Sequence, residues 1–285
     1  MSLIELVLIL LITSGFSGAI PVAKVGLKGA EVRGFTAVYI SGIVFTMFIE
    51  QLIFIPMRYA RVDFGHPILT IAIAGGIGAL GYLSGYGGMK NVHAGISSTV
   101  FNLQGPLILT FGAIFTSTYP GNYITTGLIV SIVGIVLIGS SKFTLSKISI
   151  GIPFILVAIA PVLWALEWVF FSEASALDPI FFTFILYLAA FLVALAFSLY
   201  GKELFNIQSK SAAYAFFGGT LAGIANASYG VFITNFGTAL TGIVTIISVP
   251  VSVLLVIAVL RERYSLKEVI GLVVTGIGLG IALVL

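Results

Sequence analysis

Few residues in this chain are equipped for chemistry, and they fall into small groups inside long apolar runs. Glu167 lies three residues after Trp164 and one before Trp168. On a helix Trp164 shares its face. A carboxylate among aromatic rings can hold an amino or cationic group, or titrate a coupling proton. The plainer alternative is a helix-end glutamate with tryptophans anchored at the membrane interface. Asn102 and Gln104 come just before Pro106. A proline inside a helix frees a carbonyl about one turn earlier, here near Asn102, and bends the helix. Pro250 repeats the feature beside Ser248. Pro106 and Pro250 are therefore expected as hinges, against a reading in which they serve packing alone. Tyr82, Tyr86, Asn226 and Tyr229 stand in stretches rich in glycine (Gly75, Gly76, Gly78, Gly81, Gly85 and Gly218, Gly219, Gly223). Small residues let helices approach closely. The polar side chains among them then either bind a substrate or make interhelical hydrogen bonds. The candidate substrate-binding set is Trp164, Glu167, Asn102, Gln104, Tyr82, Tyr86, Asn226 and Tyr229.

Other chemistries lack their parts. With no cysteine there is no disulfide framework, thiolate metal site or cysteine nucleophile. His66 and His93 are the only histidines, so no metal site and no cofactor are expected. His93, with Lys24, Glu50 and Lys90, sits at the end of an apolar run. It is read as a gate or proton relay, or as an interfacial polar group. Gly85-Tyr86-Gly87-Gly88 lacks the Lys-Ser/Thr pair of a phosphate loop. Asp63 with His66 is the nearest approach to an enzymatic cluster, and it is thin; an enzyme is not expected. A formal charge of +3 from 13 basic and 10 acidic residues is too small an excess for a nucleic-acid partner.

The elements that must position these residues are membrane helices. Charged residues make up 8% of the 285 residues and apolar ones 59%, against about 25% charged in soluble domains. A bilayer-spanning helix takes about 20 apolar residues. Runs of that kind cover Leu3–Pro21, Phe35–Ile55, Pro67–Met89, Ala94–Thr116, Tyr123–Ser140, Ile148–Phe171, Pro179–Tyr200, Ala212–Phe232, Thr238–Leu260 and Leu266–Leu285. The weakest boundary is Asn235-Phe236-Gly237, which carries no charge. Runs such as Ile129–Ile138 are apolar on every side, which favours helices over a barrel. The first run has no small-residue cleavage site and is not expected to be a removable signal peptide.

A constant offset of 144 pairs Asn91 with Asn235, Pro106 with Pro250, Gly75 with Gly219, Ser84 with Ser228, Gly127 with Gly271 and Gly134 with Gly278. It predicts a duplication, residues 1–144 and 145–285, with five spans in each half. An odd number of spans inverts the second copy. Loop charges agree: Lys24, Lys28 and Arg33 follow the first span, Glu173 and Asp178 its counterpart. Lys24, Lys28, Arg33, Lys90, Lys142, Lys147, Lys202, Lys210, Arg261, Arg263 and Lys267 fall on one face, Arg58 and Arg61 on the other. The positive-inside rule makes the first face cytoplasmic and puts both termini outside.

With ten short-looped spans in two halves, the chain resembles EamA-type members of the drug/metabolite transporter superfamily. The proline-centred segments Asn102-Leu103-Gln104-Gly105-Pro106 and Ile247-Ser248-Val249-Pro250 are similar to that family's. So are Trp164-Ala165 and the closing Arg261-Glu262-Arg263-Tyr264-Ser265 ahead of Gly271 and Gly278. The resemblance implies an all-α integral membrane protein of two inverted five-helix repeats. It implies a central cavity lined by spans one, three, four, six, eight and nine. It also implies a secondary transporter of the cytoplasmic membrane working by alternating access on small metabolites. The 23 Phe, 11 Tyr and 2 Trp lean toward an amino acid as substrate, an aromatic one being the narrower option. Nucleobases, sugars or drugs on the same scaffold are the alternative. An intramembrane enzyme is a weaker reading, and a channel lacks any filter-like motif. The expected partners are the small-molecule substrate and membrane lipid, with no nucleic acid, and the protein is expected to be a monomer.

Overall fold

The computed structural model describes residues 3–54, 66–92, 94–116, 121–140, 152–174, 178–260 and 265–284. Asp63, His93 and the basic segments 58–61, 142–147 and 261–264 lie outside the described residues. The elements are α1 (Leu3–Leu27), α2 (Val32–Phe54), α3 (His66–Met89), α4 (Ala94–Phe101), α5 (Gln104–Thr116), α6 (Asn122–Ser140), α7 (Ile152–Ala174), α8 (Pro179–Tyr200), α9 (Ser209–Leu260) and α10 (Leu266–Val284), with a 3-10 turn at Leu204–Asn206. No strand occurs among the described residues. In lipid a helix satisfies its own backbone groups, and apolar sequence of this length has no cheaper conformation. Among the described residues, six segments are long and apolar enough to cross a bilayer: Leu3–Leu27, Val32–Ile53, Pro67–Met89, Ile152–Glu173, Pro179–Tyr200 and Ser209–Gly237.

Helix boundaries follow local chemistry. Asp178 caps α8, its carboxylate accepting from Phe181 N at 3.0 Å, with Pro179 as the first helical residue. At the other end of α8, Glu203 N bonds Ser198 O and Lys202 N bonds Leu199 O, each at 3.0 Å, with Lys202 at φ 55. This is the left-handed helix end usually given to glycine. The Glu203 side chain then accepts from Arg33 N at 2.7 Å and lies 3.5 Å from Arg33 Nε. It thereby caps the start of α2, where free N–H groups favour an anion. Lys24, read from sequence as a loop charge, lies in the last turn of α1. Its Nζ donates to Met89 O at 2.5 Å and Val92 O at 2.7 Å, at the C-terminal end of α3.

The apolar run through Asn235 continues as helix on both sides of Gly237, whose φ of 77 and ψ of 173 separate two limbs of α9. Those backbone angles are open to glycine and strained for any other residue. The helix around Pro106 is likewise broken: α4 ends at Phe101 and α5 begins at Gln104, so the chain turns at Asn102 and Leu103. Packing joins α3 to α7, α6 to α10, α2 to α8 and α9, and α5 to α9 and α7, while α1 lies along α9. Close approach is set by glycine. A Cβ on Gly219 would overlap Tyr39 O, and one on Gly75 would overlap Leu186 O.

Candidate functional site

The α3/α7 contact builds the centre of the site. Gly78, Gly81, Gly85 and Gly88 recur on one face of α3 at spacings of three and four, the helical repeat. They meet Glu167, Trp164, Ala160 and Val157 of α7 in antiparallel order. A Cβ at Gly78 would overlap the Glu167 carboxylate, and one at Gly81 would lie 2.7 Å from Trp164 Nε1. The two α7 residues with polar atoms thus occupy the seats that missing side chains leave on α3.

Glu167 is fully buried, and neither carboxylate oxygen has a hydrogen-bond partner among the described residues. Trp164 Nε1 is also buried without a partner. A buried ionised carboxylate is costly unless a cation or hydrogen-bond donors meet it. Both groups border a cavity of about 80 Å³, roomy enough for several waters at its polar groups.

The cavity gathers seven of the candidate residues: Trp164, Glu167, Asn102, Gln104, Tyr82, Tyr86 and Asn226. Asn102, at the α4–α5 break, donates Nδ2 back to Ser98 O of α4 at 2.7 Å, and Asn226 Nδ2 donates to the Tyr82 hydroxyl at 3.4 Å. Tyr229 is not a lining residue. It stands directly behind the wall, its hydroxyl 3.0 Å from the Thr245 hydroxyl and its ring 4.5 Å from that of Trp168. Pro106 and Pro250 do not line the cavity either. Pro106 lies in the first turn of α5, next to Gln104. Near Pro250, Ser17 Oγ donates to Ser248 O at 3.2 Å and Ser252 Oγ to Ser17 Oγ at 3.1 Å, tying α1 to α9. Glu50 stays outside the site, near the end of α2.

The aromatic share of the wall is larger than the sequence indicated. The Tyr82 ring lies tilted or edge-on to its neighbours, its centroid 5.1 Å from Trp164, 5.8 Å from Tyr39 and 6.4 Å from Tyr187. Phe101 lies edge-on to Trp164 at 5.1 Å. Tyr39 belongs to α2 and Tyr187 to α8, two helices outside the six spans expected to line the cavity. Phe16, Trp168 and Thr245 also face it. The signal that marks Tyr39 and Tyr187 is tyrosine deep in an apolar run, where its hydroxyl needs a partner. Among the described residues, Glu167 is the cavity's sole charged lining residue. The described residues hold no cluster of His, Cys, Asp and Glu suited to a metal.

The helices and the cavity define a multi-pass membrane protein with an aromatic-walled chamber inside that carries a few polar groups. Residues 151–284 match the model of the EamA-like transporter family. Over those residues the chain is similar to that family of the drug/metabolite transporter superfamily, whose members are transporters. A crystal structure of another protein, 18% identical, aligns with a TM-score of 0.73 over 99% of this chain and 96% of that one. At that identity the likeness shows a shared fold alone. No curated protein matches the chain.

Proposed function

We propose that the protein is a secondary transporter that moves a small, amine-bearing polar metabolite, amino acids first, across the cytoplasmic membrane by alternating access. The observation that carries this is the interior cavity with Glu167 unpartnered in its wall. A buried charge-capable group without a partner is expensive, and a transported solute is a partner that comes and goes. The family match supports a carrier rather than an enzyme or channel. Nucleobases, sugars or drugs remain the alternative cargo on the same scaffold.

Alternating access needs two halves that can rock, and the packing supports two inverted five-span repeats, 1–144 and 145–285. Gly75 seats Leu186, while Gly219 seats Tyr39 and Gly42; a shift of 144 exchanges Gly75 with Gly219 and Gly42 with Leu186. Gly134 rests on Gly271 and Thr275, and Gly278 on Gly127 and Ser131, the same pair of contacts exchanged. Ser131 Oγ bonds Thr275 O at 3.4 Å, and Asn226 bonds Tyr82, each across a separation of 144. A residue touching its own counterpart lies near the axis that relates the halves. That axis would pass by the cavity. On this reading the two limbs of α9 are two spans, α4 with α5 is one, and the lysine- and arginine-rich loops face the cytoplasm. The chain acts as a monomer in contact with membrane lipid.

Proteoliposomes test the proposal with a panel of labelled amino acids and nucleobases. Flux above that of empty vesicles for an amino acid is expected. No flux for any of the panel would refute the substrate class, and flux confined to nucleobases would favour the alternative.

A further inference from the structure

The charge inventory of the cavity narrows what it can hold. Glu167 supplies one carboxylate, and no lysine, arginine or histidine lines the chamber among the described residues. Lys24 lies beyond the Met89 end, with its ammonium donating to Met89 O and Val92 O. Asn102 and Asn226 each already spend a side-chain N–H on Ser98 O and the Tyr82 hydroxyl. Trp164 Nε1 and the Glu167 carboxylate both sit against α3, at Gly81 and Gly78, and the other donors of the wall, the Gln104 amide and the tyrosine hydroxyls among them, carry no charge. The wall therefore offers a substrate carboxylate neutral donors but no countercharge, whereas a cation finds both an unpartnered acid and a set of ring faces.

We infer that this cavity selects a monocationic amine with an aromatic or alkyl tail, and that a free carboxylate on the same molecule is a handicap. The inference deepens the transporter reading and rests on it only for what becomes of the bound ligand. Two physical effects set the preference. The ammonium neutralises Glu167 in a low-dielectric chamber and packs against π faces. An α-carboxylate brought in with it would be desolvated without a countercharge and placed in the same small space as Glu167. An unsatisfied buried charged group costs enough to weaken binding about tenfold or more. An amino acid amide, ester or decarboxylated amine is thus held more tightly than the free amino acid, whose weaker hold still allows it to be carried.

The test compares phenethylamine, L-phenylalanine and 3-phenylpropanoate on the purified wild-type protein, reading the rise in melting temperature with ligand concentration. Phenethylamine should stabilise at about tenfold lower concentration than phenylalanine, and phenylpropanoate should not stabilise at all. Glu167→Gln should lose the phenethylamine response, with Glu167→Asp retaining part of it. Equal or stronger stabilisation by phenylalanine or phenylpropanoate would overturn the inference. So would an absence of response to phenethylamine, or an unchanged response in Glu167→Gln. The wild-type ligand series decides the matter even if Glu167→Gln does not fold. The transporter reading fails separately: phenethylamine binding without flux in proteoliposomes would contradict transport and leave the amine site standing, while phenylalanine flux without amine preference would do the reverse.

Discussion

Glu167 decides more of the chemistry than any other side chain, because it combines burial, charge capacity and the lack of a partner. The groups around it are neutral: the tyrosines of α2, α3 and α8, Trp164 and Trp168 on its own helix, and Asn226 and Thr245 of α9. Binding of a permanently charged ammonium should therefore weaken as the pH is lowered and the carboxylate takes up a proton. In Glu167→Gln that dependence should vanish; an unchanged pH profile of binding in the variant would remove Glu167 from the role. Gly78 makes the complementary prediction. Its missing Cβ is the space that the carboxylate fills, so Gly78→Ala should cost about 1–3 kcal/mol of stability by overpacking, read as a fall in melting temperature. Gly276 is the control, since a Cβ there meets nothing within 4 Å. Gly276→Ala should leave stability unchanged or raise it by about 0.5–1 kcal/mol.

At the scale of helices, the break between α4 and α5 is the feature tied most directly to a proline. Pro106 cannot return a hydrogen bond to Asn102 O, and the chain turns there. Pro106→Ala lets helix run through the break, drawing Asn102 and Gln104 out of register with the cavity. Ligand affinity should fall several-fold while the folded yield is kept; unchanged affinity and flux would reduce Pro106 to packing. Within the described residues the apolar runs read from sequence fall on helix, the fourth interrupted at Asn102 and Leu103, and Glu167, Trp164, Tyr82, Tyr86, Asn102, Gln104 and Asn226 share one chamber. Polar groups inside apolar runs are visible in sequence because lipid tolerates few of them. The contributions of Tyr39, Tyr187, Phe101 and Trp168 were not legible, because in a chain with 23 Phe and 11 Tyr the pattern does not separate rings facing lipid from rings facing a chamber. Lys24 was misplaced for a related reason. A lysine just after Pro21 reads as a loop, yet α1 carries its proline internally and continues to Leu27.

At the scale of the whole molecule, the account requires halves that exchange contacts across an axis near Tyr82 and Asn226 and open the chamber to each side in turn. The glycine seats are what permit this packing, since a Cβ at Gly42 or Gly219 would run into the backbone of the facing helix. The chain's lack of cysteine makes the decisive measurement direct. A single cysteine is introduced at Ala19, a small lining residue of α1, and the variant is reconstituted in vesicles of known orientation. Membrane-impermeant thiol reagents are then applied from either face. The account predicts labelling from both faces, one side at a time, slowed by saturating phenethylamine. Labelling from one face only, or from neither, would contradict a chamber with alternating access.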